Sequence, residues 1–285
     1  MEESSRRTWQ AHKATMLVVG VAAAAACLIA LTWAKAPAAS AQEESENEPS
    51  FVVRCDFSHR NSDDPIVHPG EPGAAHSHDF FGNKSTNASS TYDTLRAADT
   101  TCSRSADKAS YWIPTLKWGG RTLTAFRGAF YYRAAGKDPK TIKAPPAGLK
   151  VIPNTHVNWR CLGGSYSATP PTWCSNGRLG VRVTAPDCSD GQTDSADHRS
   201  HMAYAKGGVC PSTHPIPVPS LRMIIDFNLP TSFGWVTLSS GDASSMHADF
   251  FNAWDQPVLE EMVRDCINAY DPALPRPSKC KAPGV

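Results

Sequence analysis

The sequence predicts a mainly β protein: a disulfide-rich sandwich or jelly-roll-like single domain with one C-terminal amphipathic helix. Three observations predict this fold. Short apolar runs alternate with Gly, Pro, Asn and Asp, as expected for strands joined by turns. No long helical period is found between residues 51 and 250. The 285-residue chain also contains 23 prolines, 19 glycines and nine cysteines, a composition typical of short strands linked by irregular, cross-linked loops.

The N-terminal 41 residues have the composition of an export signal. Three basic residues before position 14 precede an uncharged run from 16 to 34 that is rich in Ala, Val and Leu, and small residues end at Ala41. This order is typical of a signal peptide over residues 1–41. The apolar run is also just long enough to cross a bilayer, so an uncleaved signal-anchor is the alternative. We therefore expect a secreted protein, or one tethered to the outer face of the membrane through this segment only.

The rest of the chain divides into three parts by composition. Residues 42–50 are acidic and predict a solvated linker. Residues 51–270 are predicted to form a single β-rich domain, and residues 271–285 a tail rich in Pro and Lys. The formal net charge is only +1 and the basic residues form no stripe, which argues against nucleic acid as a partner.

Eight of the nine cysteines follow the signal, and an even number in an exported protein predicts four disulfides. The pairing is left open. A cysteine-based zinc site is the alternative, but the sequence has no Cys-x-x-Cys pair. The eight residues are Cys55, Cys102, Cys161, Cys174, Cys188, Cys210, Cys266 and Cys280.

The predicted elements follow from the apolar pattern. The predicted helix begins after Asp255 as its N-cap, with Pro257 in its first turn, and its apolar residues recur at i, i+3 and i+4 up to Ile267. Cys266 falls on the apolar side of this helix. The predicted strands include residues 51–53, 111–113, 126–132, 181–183, 221–227 and 235–238.

Two segments of the sequence echo each other, at 76–83 and at 246–252. Each places a histidine shortly before Asp-Phe-Phe and an asparagine shortly after it. If both segments are extended, His76 and His78 share one face, and His247 and Asp249 share one face. Strands of this kind lying side by side would bring imidazoles and carboxylates together beside aromatic rings.

This constellation predicts a reactive centre of His78, His247 and Asp249. Imidazole and carboxylate groups suit either general acid–base catalysis or ligation of a divalent metal ion. The alternative is that the histidines bond backbone carbonyls in loops. The predicted metal ligands are His76, His78, His201, His214 and His247, and the predicted binding residues are His76, Asp79, Asn83, Tyr92, Trp159 and Asn252.

Other catalytic classes lack their residues. Glutamate is scarce beyond the linker, so a two-carboxylate glycosidase would have to use aspartates, and nothing selects a pair of them. The sequence has no Gly-x-Ser-x-Gly nucleophile turn and no Gly-rich phosphate loop.

Several motifs, taken in order, resemble those of one known family. The motifs occupy residues 64–70, 76–83, 100–102, 111–114, 210–215 and 246–252. Together they resemble the domain of unknown function nineteen ninety-six, a family of secreted proteins of fungi and actinobacteria, over about residues 52–268. The resemblance implies export and a single domain, and it implies no particular reaction.

The sequence as a whole favours a secreted enzyme that acts on cell-wall or environmental polysaccharide, with or without a divalent metal. The alternative is a non-catalytic module that binds glycan or metal at the cell surface. A third interpretation is a structural envelope protein whose histidines only anchor loops.

Overall fold

A computed structural model describes residues 48–281. The predicted signal (1–41) lies outside the described residues, as do most of the predicted linker (42–50) and the end of the predicted tail (271–285). Within the described part, no helix is both long enough and apolar enough to cross a membrane.

The described elements are mostly short strands. The strands are β1 (Ser50–Cys55), β2 (Phe57–Asn61), β3 (His78–Gly82), β4 (Ser110–Pro114), β5 (Leu116–Trp118), β6 (Arg121–Thr122), β7 (Ala125–Arg133), β8 (Lys150–Val151), β9 (Val157–Cys161), β10 (Arg178–Thr184), β11 (Cys188–Ser189), β12 (Met202–Ala203), β13 (Ile216–Pro217), β14 (Ser220–Asn228), β15 (Val236–Leu238), β16 (Gly241–Asp242) and β17 (Asp249–Phe251). The helices are α1 (Tyr92–Ala97) and α2 (Gln256–Val263), which continues as a π-helical turn (Arg264–Asn268), and there are 3₁₀ turns at Pro139–Thr141, Ala243–Ser245 and Ser278–Cys280.

Two five-stranded antiparallel sheets form the sandwich. The first has the strand order β1-β7-β14-β10-β9, and the second, which we call the histidine sheet, has the order β2-β3-β4-β17-β8. Both contribute to one hydrophobic core, in which the rings of Tyr111 and Phe130 stack with centroids 3.9 Å apart. Two smaller sheets, β16-β15-β5-β6 and β12-β11-β13, complete the described strands. The prediction of a mainly β, sandwich-like fold is confirmed.

The histidine sheet is buried on both faces. Because side chains alternate along a strand, Phe81 and Tyr111 enter the main core, whereas Phe80 and Trp112 enter a second, smaller apolar cluster on the opposite face. The loop of residues 62–77 and helix α1 supply the cover for this second face, through residues such as Ile66 and Leu95. The candidate site lies on this second face.

The predicted C-terminal helix is confirmed. Asp255 is its N-cap and accepts a hydrogen bond from the backbone N–H of Val258 at 3.4 Å. Leu259, Met262 and Val263 are buried, as the 3.6-residue period predicts. The change to a π-helical turn after Val263 is not predicted, because the apolar pattern continues through it without interruption.

All eight cysteines among residues 48–281 form disulfides, so the prediction of four bridges is confirmed. The cysteines pair consecutively along the chain, the first with the second, the third with the fourth, and so on. The sequence separations within the four pairs are 47, 13, 22 and 14 residues. The pairs are Cys55–Cys102, Cys161–Cys174, Cys188–Cys210 and Cys266–Cys280.

A buried polar network joins the two large sheets at Asp107. The Tyr111 hydroxyl donates to the Asp107 carboxylate at 2.9 Å and lies 2.7 Å from the Tyr132 hydroxyl. The Trp254 indole N–H donates to Tyr132 at 3.1 Å. Burial raises the pKa of Asp107 to about 7, although hydrogen bonds from Tyr111 and Ala109 lower it. The folded protein therefore holds a proton that the unfolded chain releases near pH 3.8.

We expect the free energy of unfolding to contain a part that falls as pH rises from about 4 to 7, because the folded state holds the Asp107 proton more tightly than the unfolded state does. The total decrease in the free energy of unfolding across this pH range is roughly 4 kcal/mol at most. Asp107→Asn keeps the side-chain shape and cannot ionise, so its unfolding free energy should lack this part. Denaturant unfolding across this pH range measures the difference, and equal pH dependence in both proteins would contradict the expectation.

Candidate metal centre

Strands β3 and β17, which begin within the two echoing segments, lie on either side of β4. His78 lies opposite Pro114 on one side of β4, and Asp249 lies opposite Trp112 on the other side. Both neighbours run antiparallel to β4, so they run parallel to each other. The structure thus places the two segments one strand apart, as the repeated pattern predicts.

Relative to β4, the two Asp-Phe-Phe tripeptides are offset in register by one residue. Asp79 lies opposite Ile113 of β4, whereas Asp249 lies opposite Trp112. A one-residue offset turns a side chain to the other face of a sheet. Asp79 therefore points away from the histidines, and Arg60 binds its carboxylate through two hydrogen bonds of 2.5 and 2.8 Å. Only Asp249 faces the same side as the histidines.

Three imidazoles converge on that side: His76, His78 and His247. One ring nitrogen of each lies within 4.8 Å of the other two. The ring centroid of His76 is 4.2 Å from that of His78 and 5.1 Å from that of His247. His76 lies at the end of the covering loop, His78 opens β3, and His247 lies two residues before Asp249 of β17, so two separate backbone segments build the cluster.

Backbone carbonyls fix the tautomers of two of these rings. The Nδ1–H of His78 donates to the carbonyl of Asp63 at 3.0 Å, and that of His247 donates to the carbonyl of Ser245 at 2.9 Å. In each ring the Nε2 lone pair is left as the acceptor. The Nε2 atoms of His76 and His78 are buried and have no hydrogen-bond partner among residues 48–281. Metal-binding histidines are oriented in this way, with the second nitrogen bound to a carbonyl or carboxylate.

The environment keeps the three imidazoles neutral. Burial, together with the neighbouring His76, lowers the pKa of His78 to about 3. Burial also lowers the pKa of His76 and of His247, and His247 adds to the effect on His76. Neutral imidazole is the form that binds a metal ion, so the cluster needs no deprotonation of its histidines near pH 7.

Asp249 supplies the carboxylate of the cluster. Both of its oxygens are buried without a hydrogen-bond partner in the described part of the chain. Its Oδ2 atom lies 3.7 Å from Nε2 of His247, which is beyond hydrogen-bond distance. Burial raises the pKa of Asp249 well above its usual range, and Asp64 raises it further. A buried carboxylate without a partner is costly, and a cation beside it would remove that cost.

The cluster opens on a cleft of about 320 Å³. His76, His247 and Asp249 line the cleft together with Arg199, while the more deeply buried His78 lies outside the lining. The full lining is Asp64, Val67, His68, Ala74, Ala75, His76, Ile152, Arg199, His247 and Asp249. The imidazoles and the carboxylate are therefore accessible to a ligand from one side.

The other two predicted metal ligands, His201 and His214, are not part of the cluster. His201 is buried, its Nε2–H donates to the carbonyl of Lys150 at 2.7 Å, and its Nδ1 lies 3.0 Å from the Ser195 hydroxyl oxygen. The Nε2–H of His214 donates to the carbonyl of Ser200 at 2.8 Å. These histidines anchor the loop of residues 194–201 instead of contributing a free nitrogen to the cleft.

The anchored loop presents Arg199 to the cleft. Within the loop, His198 adopts a left-handed backbone conformation with φ of 57°, and its Nδ1 lies 2.8 Å from the Asp194 carboxylate. The Asp197 carboxylate accepts hydrogen bonds from the backbone N–H groups of Arg199 and Ser200. The backbone of Arg199 is thus held in a structured loop, and its charge is close enough to affect the electrostatics of the cluster.

Both predicted asparagines have structural partners away from the cleft. The Asn83 amide donates to the carbonyls of Leu95 and Lys108 at 2.9 and 2.7 Å. The Asn252 amide donates to the carbonyl of Pro146 at 2.7 Å. Each amide ties the end of an Asp-Phe-Phe strand to a neighbouring segment, which explains the repeated asparagine without a ligand.

The two aromatic residues among the predicted binding residues, Tyr92 and Trp159, also lie outside the cleft lining. Tyr92 begins α1 and packs against the second apolar cluster. Trp159 lies in β9 and is buried in the main core. The structure thus brings together four of the predicted site residues, namely His76, His78, His247 and Asp249.

Three ionisable residues of the cleft were not predicted: Asp64, His68 and Arg199. Two of them carried a usable signal, because Asp64 and His68 lie in the same family-like motif at 64–70. Arg199 lies between His198 and His201, which marked the region but not this residue. Asp64 has a structural part as well, since its Oδ1 accepts the backbone N–H of Ile66 at 2.8 Å.

The donor set fits a divalent transition-metal ion. Zn–N bonds of about 2.1 Å hold tetrahedral nitrogens roughly 3.4 Å apart, so nitrogens within 4.8 Å would have to approach one another by about 1.4 Å at most. Three imidazoles with one carboxylate suit zinc, iron or manganese better than calcium or magnesium, which prefer oxygen. The cleft side of the cluster leaves room for a further ligand.

His201→Ala should lower the free energy of unfolding by roughly 1–3 kcal/mol, because the variant removes a buried imidazole and leaves the Lys150 carbonyl without the hydrogen bond that it accepts. Its metal content should equal that of the wild type. Denaturant unfolding and elemental analysis measure the two quantities, and His156→Ala, an exposed histidine outside the cleft, is the matched control. Loss of metal without loss of stability would make His201 a ligand after all.

The comparisons with known proteins give a family and no activity. Neither the curated proteins nor the solved structures yield a match to this chain. The family described as domain of unknown function (DUF1996) matches residues 64–254, which include the covering loop, β3, β4, the Arg199 loop and β17. That match takes in about two thirds of the chain and every residue of the cluster, and the chain belongs to this family of unknown function.

Proposed function

We propose that this chain is an exported metalloenzyme that acts on polysaccharide, with one divalent transition-metal ion bound by His76, His78 and His247. The observation that carries the proposal is the convergence of these three neutral imidazoles next to a buried carboxylate. The export signal predicted from the sequence and the four disulfides support an extracellular place of action.

A metal ion explains the cluster better than metal-free acid–base catalysis does. A general acid–base pair needs two groups, and here three imidazoles crowd together with no hydrogen bond among them in the described structure. Asp249 is 3.7 Å from His247 and does not orient it by a hydrogen bond. A divalent cation would satisfy the free nitrogen of each ring and balance the charge of the buried carboxylate.

The bound ion would lower the pKa of a water molecule or polarise a substrate oxygen facing the cleft. Arg199 would stabilise negative charge that develops on the substrate, because a preorganised cation in a cleft favours a charged transition state. His78 and His247 would hold the ion in place, since backbone carbonyls fix the orientation of both rings.

The metal site can be tested on the purified exported form. The wild type, dialysed against zinc, manganese or iron(II), should retain near one ion per chain by elemental analysis. His247→Ala should lose the ion, and Asp249→Asn should bind it roughly 10- to 100-fold more weakly, because the carboxylate supports the cluster from beside it. His156→Ala should behave as the wild type. The site would be refuted if the wild type retained none of the three metals, or if His247→Ala retained as much metal as the wild type.

Turnover tests the reaction separately from metal binding. The metal-loaded protein should release new chain ends from at least one member of a polysaccharide panel, and a chelator or His247→Ala should abolish the release. Arg199→Ala should keep the metal and lose roughly 100-fold or more in kcat, the size expected for a preorganised charge-stabilising group. Full metal occupancy without turnover on any polysaccharide would make the chain a metal-binding module and not an enzyme.

A further inference from the structure

A second surface of the molecule carries three exposed aromatic side chains. Trp173, Phe233 and Trp235 are 54%, 73% and 61% exposed, although most of the other aromatic rings are buried. Large aromatic side chains dominate protein cores, and a monomeric protein rarely leaves several of them together in water unless they bind something. None of the three lines the cleft of the candidate metal centre.

The backbone places these rings on one side of a short two-stranded ribbon. Trp173 and Phe233 lie directly opposite each other in an antiparallel bridge, so their side chains point to the same side. Hydrogen bonds hold the bridge, from the N–H of Cys174 to the carbonyl of Ser232 at 2.9 Å, and from Gly234 to Thr172. Trp235 is two residues beyond Phe233 and takes the same side in an extended chain.

Gly234 shows which side of the ribbon faces inward. A β-carbon at Gly234 would lie 2.3 Å from the ring of Trp118, so the glycine packs flat on this buried indole. The Trp118 N–H donates to the carbonyls of Thr231 and Phe233 at 3.0 and 3.1 Å. Since Gly234 faces inward, Phe233 and its neighbour at 235 face outward.

The ribbon is fixed before any ligand arrives. The disulfide Cys161–Cys174 anchors one of its strands beside Trp173, and the indole of Trp118 anchors the other. A surface that is already ordered loses little conformational entropy on binding, which favours affinity. The three rings therefore form a rigid aromatic platform.

The composition of the two segments that build the platform indicates the chemistry of its ligand. Neither of the two segments that build it, residues 161–177 and 227–241, contains a charged residue. Ser, Thr and Asn, which can bond hydroxyl groups, lie between the aromatics. An anionic membrane or a nucleic acid would call for lysine and arginine beside the rings. Sugar rings present apolar C–H faces to aromatic rings and hydroxyls to polar side chains, so an uncharged glycan complements this surface.

We infer that Trp173, Phe233 and Trp235 form a binding platform for neutral polysaccharide, separate from the metal centre. The inference rests on the proposed function only in that both sites take a polysaccharide. Pro114, which lies opposite His78, is four residues before Trp118, so the backbone under the platform is at most roughly 14 Å from the histidine sheet at that point. A glycan chain held on the platform would stay within reach of the same part of the molecule.

Binding to insoluble polysaccharides tests the platform. The purified exported form would be mixed with cellulose, chitin, β-1,3-glucan and, as an acidic comparison, insoluble cross-linked polygalacturonate, and free protein would be measured after sedimentation. We expect retention on at least one neutral polymer, weakened at least tenfold by Trp173→Ala or by Trp235→Ala. Leu274→Ala removes an equally exposed side chain (64%) from the C-terminal segment and should bind as the wild type.

The metal-site variant separates the two proposals. His247→Ala should lose the ion and keep its retention on the neutral polymer, because the platform does not depend on the metal. If the wild type is retained on the neutral polymer but binds no metal, the proposed metalloenzyme is refuted and the platform is supported. Failure to bind any neutral polymer, stronger retention on the acidic one, or unchanged binding by both tryptophan variants would refute the platform. The platform would also be refuted if light scattering showed that the wild type is a dimer and the Trp173→Ala variant a monomer. That result would make this surface a contact between two copies of the chain.

Discussion

The pairing of β4 with both β3 and β17 is the constraint on which the candidate site depends. This one strand sets the register of two segments that are about 170 residues apart in sequence, and the register decides which side chains share a face. With the observed pairing, His78 and Asp249 lie on the side opposite the main core. A shift of β17 by one residue would turn Asp249 into that core and bring Phe250 to the histidines. The aromatic packing on both faces of the sheet therefore protects the register as well as stabilising the fold.

The cluster combines groups that are unfavourable in isolation. Imidazoles that cannot easily be protonated and a carboxylate that is hard to ionise both follow from burial, as the pKa values of His78 and Asp249 show. Burial of polar groups without partners costs stability, and an ordinary core would replace them with apolar residues. Their presence beside a cleft is the reason for our proposal that a bound ion offsets this cost.

The sequence predicts the fold better than it predicts the site. The alternating apolar runs are sufficient to predict the sandwich, and the number of cysteines is sufficient to predict four disulfides. Both signals reflect burial and redox chemistry averaged over many residues. In the site, the spacing between histidine and aspartate was sufficient to predict which aspartate lies beside the histidines. His78 is adjacent to Asp79, whereas one residue separates His247 from Asp249. With a period of two, that difference puts only the second aspartate on the histidine face. The anchoring of His201 could not be predicted, because its partner is a backbone carbonyl 51 residues away.

The consecutive pairing of the cysteines has a consequence for how such a chain matures. Bridges that link each cysteine to its nearest successor close separate loops, and no bridge must wait for a cysteine beyond the next one to be synthesised. A chain oxidised progressively from its N-terminal end would form each native bridge with the first free thiol that follows. Thiol–disulfide exchange is then needed only to correct errors and not to reach the native pattern. The arrangement suits a chain whose covalent framework forms progressively from its N-terminal end.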